Sequence, residues 1–334
     1  MLVVRPAGPG DIAVLMELAH LSGRGFTSLP EDRPTLAGRL DQSAASFAGE
    51  TAPADAWYTL MLEDGETGRV EGVAGVHAAV GLKRPHFSFR VVTLTQYSAA
   101  IGTRFDHQAL VLVNECGGWT EVGSLFVRPG RRGGGAGRLL AAARYMLIGA
   151  EPLRFAETVM AELRGWFDAD GTCPFWDGVA SKFFHLPFDQ ADLMSTSTDG
   201  QFILDLAPRH PIYVELVDQA ARRAIGRVHR EGEPALAMLE REGFVRSALI
   251  DLFDAGPIVT CRRDAIATVQ ASRELPATVG TPRAGVPMLV STARIAGFRA
   301  LRTTAEEIDG RLLLDPVAAA ALGIEPGMKV RARA

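Results

Sequence analysis

The feature that most constrains this chain is residues 121–147, EVGSLFVRPGRRGGGAGRLLAAARYML, where an apolar strand pattern runs into a glycine cluster and out into a helical pattern. Within it Arg132, Gly135 and Gly137 stand as R-x-x-G-x-G. Glycines let a backbone adopt positive φ and approach a ligand closely, and the free N–H groups at a helix start converge on a point that favours an anion. Arg131, Arg132 and Arg138 add positive charge beside that point, which suits phosphate better than carboxylate. The unit therefore reads as a strand, a pyrophosphate-binding loop and a helix. A Walker loop is excluded because no G-K-[ST] follows. A dinucleotide fold would carry its glycines in the first strand-to-helix turn, whereas here they follow several strand patterns.

Those earlier patterns set the rest of the fold. Residues 2–5 read as a strand, and Asp11 caps a helix with Ile12, Leu15, Met16 and Ala19 on one face. Apolar runs at 57–62 and 70–80 flank the turn formers of EDGETG, a hairpin signal, and a second strand pair at 87–95 and 108–113 precedes the glycine unit. Residues 151–214 carry scattered aromatics without a long period and read as helices and loops inserted over a sheet edge. Residues 234–242 form an amphipathic helix stopped by Gly243. Residues 274–285, ELPATVGTPRAG, read as a linker, and 286–334 as short strands around one helix. The expectation is an α/β chain with a mixed, mostly antiparallel sheet flanked by helices. Residues 1–273 form its main domain, with the insertion at 151–214, and 286–334 a small β-rich packing or dimerisation domain.

Composition narrows the function classes. An apolar fraction of 47% excludes extensive disorder, and 35 basic against 39 acidic residues leave no global positive field for nucleic acid. No apolar run is long enough to span a membrane and no signal-peptide pattern opens the chain, so a cytoplasmic protein is expected. Cys116, Cys173 and Cys261 lack any paired spacing; they read as reduced, buried thiols, and no metal site is expected.

An R-x-x-G-x-G loop behind an antiparallel half-sheet, followed by PALAMLEREGF, resembles the GCN5-related N-acetyltransferase (GNAT) superfamily. The blocks FTSLP, AAVGL, EVGSLFVRP, RRGGGAGRLL, ELRG, PFWD, PRHPIYV, IGRVH and LDPVAAAALGIEPG narrow the resemblance to the arginine N-succinyltransferase family. That resemblance implies transfer of succinyl from succinyl-CoA to the α-amino group of L-arginine, giving N2-succinyl-L-arginine and CoA, the first step of arginine catabolism by the succinyltransferase pathway. Succinyl-CoA would be a substrate, with no permanently bound cofactor. Some members pair non-identical subunits, so a homo- or hetero-oligomer is expected. Succinylation of ornithine or another basic amino acid, or a non-catalytic CoA-binding role in a hetero-oligomer, are the alternatives.

The resemblance also carries roles to positions. His229 of IGRVH takes the family's proton-donor place; the tyrosine that many GNAT enzymes use is replaced here by Leu239. Leu125, Phe126 and Val127 lead the acyl-CoA to the loop formed by Arg132, Gly133, Gly134, Gly135, Ala136, Gly137 and Arg138, with Leu125 acting through its backbone. The loop departs from the family in having Gly130 and Arg131 where an aromatic residue is usual before Arg132. A succinyl group ends in a carboxylate, for which Arg90, Arg164, Arg209 and His210 are candidates. Glu162, Asp177, Trp176 and Asp199 could receive a guanidinium, and Phe183, Phe184 and Phe188 could anchor a subunit interface.

Overall fold

The two faces of the central strands explain the architecture. In the computed structural model, which describes residues 1–23, 25–198 and 200–334, Met61, Val73 and Phe126 lie side by side on one face against two N-terminal helices. Leu60, Leu62, Ala74, Val76 and Val122 face the helix that follows the glycine loop. Strands buried on both faces read as continuous apolar runs, as these do.

The strands in chain order are β1 (Leu2–Pro6), β2 (Trp57–Asp64), β3 (Val70–His77), β4 (Ser88–Ser98), β5 (Thr103–Val113), β6 (Thr120–Val127), β7 (Thr158–Glu162), β8 (Ile212–Tyr213), β9 (Val245–Asp251) and β10 (Pro257–Arg262). The C-terminal part adds β11 (Arg273–Val279), β12 (Val286–Thr292), β13 (Ala300–Ile308), β14 (Arg311–Leu314) and β15 (Lys329–Arg333). The helices are α1 (Ile12–Ser22), α2 (Arg33–Phe47), α3 (Ala136–Ala150), α4 (Ser181–Phe184), α5 (Phe188–Ser197), α6 (Gln201–Leu206), α7 (Gln219–Ala224), α8 (Glu233–Arg241), α9 (Ala267–Ala271) and α10 (Pro316–Leu322).

The main sheet runs β1-β2-β3-β6-β7-β10-β9-β4-β5-β8, antiparallel except for the β6–β7 pair. Beyond it, β12, β15, β11, β14 and β13 follow one another and β13 returns to β12, closing a small five-stranded barrel. This barrel joins the main sheet through β1, with Val3 opposite Leu301. Helix α3 lies between sheet and barrel, packing on Leu289 and Ala300 as well as on β2 and β6, which is why, beyond Arg138, Leu139 to Gly149 are all buried and mostly apolar. A separate aromatic cluster, with Trp166, Phe175, Trp176, Phe184 and Phe253, organises the segment between β7 and α8.

Several expectations change. The supposed linker carries β11, whose Ala277 is fully buried between β14 and β15; proline and glycine obscured it because Pro276 sits at a strand position and Gly280 just past the end. The segment read as an insertion begins with β7, a central strand only five residues long. Helix α2 went unread because its mean hydropathy is low, and the β4–β5 hairpin extends further than the apolar runs because its outer half is exposed. Asp11 precedes α1 but gives it no side-chain cap; its carboxylate instead accepts from the Arg5 guanidinium (2.8 and 2.9 Å) and the Gly8 N–H (2.7 Å). Phe184 and Phe188 are 3% and 4% exposed in the aromatic cluster, so they are core residues and no interface anchor.

Candidate active site

The parallel pairing of β6 with β7 lasts only two residues, Thr120 opposite Val159 and Glu121 opposite Met160. Beyond them the two strands have no mutual ladder, so a wedge opens toward their C-terminal ends. On its other side β6 stays paired with β3, but Ser124 and Leu125 together oppose the single residue Ala74, a bulge that sharpens the bend. Ser124 sits at φ 52°, and the 26–30 loop fixes it: the Ser124 N–H donates to Ser28 Oγ (3.2 Å) and Ser124 Oγ donates to the Ser28 carbonyl (2.8 Å). Leu125 therefore lies at the bulge, while Phe126 and Val127 are buried in the two cores on either side.

At the end of β6 the chain turns through residues 129–131 into the glycines. Gly133 and Gly135 take φ of 88° and 87°, a region costly for other residues, and a Cβ placed at Gly133, Gly134 or Gly137 would meet nothing within 4 Å. The loop is thus an open cradle, and α3 starts from it without a side-chain cap, leaving its first N–H groups directed at the opening. The arginines divide into two sets. Arg128 donates to Glu17 (2.7 Å) and Arg131 to Glu71 (3.0 Å) and Asp64, so both brace the loop from below. Arg132 lies over the Phe126 ring and donates its Nε–H to the Val127 carbonyl (3.1 Å), and Arg138 has no carboxylate partner among the described residues. Positive charge at the cradle therefore comes from Arg132 and Arg138, and Arg131 is withdrawn from it.

The opposite wall of the wedge is the chain leaving β7. Asp254, buried at 4% exposure, accepts from the Gly165 and Gly256 N–H groups, 2.7 Å each, and burial beside Asp251 raises its pKa. This fixes Arg164, whose carbonyl accepts from the His229 N–H (2.8 Å). The His229 ring stands edge-on to Phe167, and its Nδ1 accepts from the Glu231 N–H (3.3 Å), which leaves Nε2 as the protonated nitrogen of the neutral ring. Burial, with the Arg164 charge nearby, lowers its pKa.

Between the walls lie two carboxylates that share one sheet face: Glu121 on β6, and Glu162 two residues beyond the partner of Glu121 on β7. Burial and the neighbouring Glu162 raise Glu121 to about 6. His86 Nε2 is 3.1 Å from Glu162; burial alone would lower its pKa, but Glu162, with Glu121 and Asp251 behind it, raises it to about 9. This is an environment built for a cation beside a group of tuned acidity.

Of the sequence candidates, His229, Leu125, Arg132, the glycines, Arg138, Arg164 and Glu162 border this wedge. Arg164 lies over the Phe167 ring and against Gly25 of the facing loop. Arg90 is held by Glu115 (2.5 Å), and Arg209 and His210 are exposed in the loop before the edge strand β8. Trp176 is packed in the aromatic cluster, Asp177 is exposed, and Asp199 lies outside the described residues. Glu121 and His86 were missed, although a glutamate at an otherwise apolar strand position is a readable signal for the first.

Residues 2–268 match the family described as arginine N-succinyltransferase beta subunit, and residues 273–333 match the C-terminal domain of that subunit. Arginine N-succinyltransferases of Salmonella typhimurium and Salmonella newport are each 37% identical to it over 333 residues, 99% of this chain and 97% of theirs. The structure of the arginine/ornithine succinyltransferase subunit AI from Pseudomonas aeruginosa superposes with a TM-score of 0.91 at 32% identity, over 100% of this chain and 98% of that one.

Proposed function

The chain belongs to the arginine N-succinyltransferase family, and from that premise we propose that it transfers the succinyl group of succinyl-CoA to the α-amino group of L-arginine. The observation that carries this reading is the wedge between β6 and β7, with an open glycine cradle at one end and His229 on the facing wall. The pyrophosphate of the donor rests on the α3 N-terminus with Arg132 and Arg138, and the thioester arm runs past Val127, Phe126 and Leu125 into the wedge. Leu125 contributes backbone at the bulge.

In the reaction the deprotonated amine attacks the thioester carbonyl, and the tetrahedral intermediate collapses with cleavage of the C–S bond. The amine loses one proton and the departing sulfur gains one. His229 carries that proton: the ring takes up the proton the amine loses and, as the imidazolium, delivers a proton from Nε2 to the departing sulfur, returning to the neutral form. Arg164, whose charge bears on the His229 ring, is the cation assigned to the succinyl carboxylate, and Glu121 and Glu162 offer negative charge to the guanidinium of the acceptor. The names of the matched family and of the Pseudomonas aeruginosa relative refer to subunits, which supports assembly into an oligomer.

The test is free-thiol release from succinyl-CoA, with acetyl-CoA as donor control and L-arginine, L-ornithine, L-lysine or no amine as acceptor. Arginine-dependent release specific to succinyl-CoA is expected. Release with ornithine alone would reassign the acceptor, and no release with any amine despite succinyl-CoA binding would indicate a non-catalytic subunit.

A further inference from the structure

Helix α3, helix α8 and the C-terminal barrel enclose a cavity of about 160 Å³ whose lining includes four guanidinium groups, Arg138, Arg241, Arg302 and Arg333. The lining holds one side-chain carboxylate, Glu242, beside the terminal carboxylate of Ala334, and the charge of Glu242 is already occupied: Glu242 accepts from the Thr268 N–H (2.7 Å), from Thr268 Oγ1 (2.8 Å) and from Arg333 (3.3 Å). Arg138, Arg241 and Arg302 are exposed and pair with no carboxylate among the described residues. Three cations face the single terminal carboxylate of Ala334, so the cavity keeps an excess of positive charge that a further anion would neutralise.

The position of Arg138 says which anion. It is the third residue of α3, and its guanidinium lies 3.8 Å from the Cβ position of Gly135, so it borders the glycine cradle. It also lines the cavity, with Ala141, Ala142 and Tyr145 continuing the same helix face at helical spacing. The cradle and the cavity are therefore two ends of one cationic path. An acyl-CoA whose pyrophosphate occupies the cradle sends its thioester arm into the wedge, and its other substituent, an adenosine bearing a 3′-phosphate, must leave on the remaining side.

We infer that this cavity receives the 3′-phosphate end of the acyl-CoA donor, so that Arg302 of the C-terminal barrel is a donor-binding residue. The inference rests on the reading of the glycine loop as the pyrophosphate site, and it gives the barrel a function besides packing.

The experiment uses the full chain with succinyl-CoA and with succinyl-3′-dephospho-CoA as donors. Wild-type protein should show a lower KM for succinyl-CoA. Arg302→Ala should raise that KM about tenfold, the equivalent of one lost charge-assisted contact. It should leave kcat within about twofold and leave the KM for the dephospho donor unchanged. Arg241→Ala should behave in the same way. Equal KM values for the two donors in wild-type protein, or an equal effect of Arg302→Ala on both, would overturn the assignment while leaving the cradle reading intact. Stabilisation of the wild-type fold by inorganic phosphate that Arg302→Ala removes, with donor KM values unmoved, would identify a separate anion site and also overturn it. A wild-type chain that binds neither donor would overturn the cradle reading and this inference together.

Discussion

The two walls of the wedge both depend on glycine, for opposite reasons. In the cradle, Gly133 and Gly135 are needed for their positive φ, and added Cβ atoms would meet open space or the movable end of Arg138. On the facing wall, a Cβ on Gly256 would lie 1.9 Å from the Leu163 carbonyl, and one on Gly165 2.2 Å from the Asp254 carbonyl. The first wall is kept empty so that something else can enter. The second is packed without slack, so that Arg164 and through it His229 are held at a fixed height. A glycine in the sequence does not announce which of these it serves; the space around its missing side chain does.

That contrast can be broken in graded steps. Gly256→Ala should have the largest effect, a loss of about 3 kcal/mol of stability from overpacking against backbone that cannot yield, measured by denaturant unfolding. An unchanged midpoint would mean that the second wall has slack after all. Gly135→Val should leave the protein folded, at a local cost of about 1–2 kcal/mol for a side chain at that φ. In steady-state kinetics it should raise the KM for succinyl-CoA about tenfold with little change for arginine; equal shifts for both substrates would point to general distortion.

The smallest effect concerns the floor between the walls. His86 is raised to about 9 in the folded protein by Glu162, so its contribution to stability is complete below its unfolded value near 6.5 and is lost as pH rises through about 9. Thermal unfolding should therefore drop by a few degrees between pH 7 and pH 9.5 in wild-type protein. His86→Gln should flatten that dependence, and a slope that persists in the variant would assign it to another group.

The strand, loop and helix of the cradle were legible because one contiguous segment carries the apolar alternation, the glycines and the helix start. The facing wall was much less so. Its parts come from β7, from residues 163–167, from Asp254 and from the loop around His229, and only the fold brings them together. His229 is singled out only by the resemblance of its block, since an isolated histidine before a helix carries no such signal. Arg131 illustrates the converse: its place beside the glycines suggested phosphate, but Glu71 and Asp64, some sixty residues earlier in the chain, claim it. Likewise β11 was hidden by its proline and glycines, because a strand in a five-stranded barrel is specified by neighbours distant in sequence.

The central claim is that the packed wall exists to hold His229 at the sulfur of a donor seated in the open one. The most direct measurement is the steady-state kinetics of His229→Ala with succinyl-CoA and L-arginine, alongside wild-type protein of matched thermal stability. The account predicts that kcat falls by about 10²–10⁴-fold, the range of a lost general acid, while the KM for each substrate stays within about threefold. Full turnover by His229→Ala across neutral pH would contradict it.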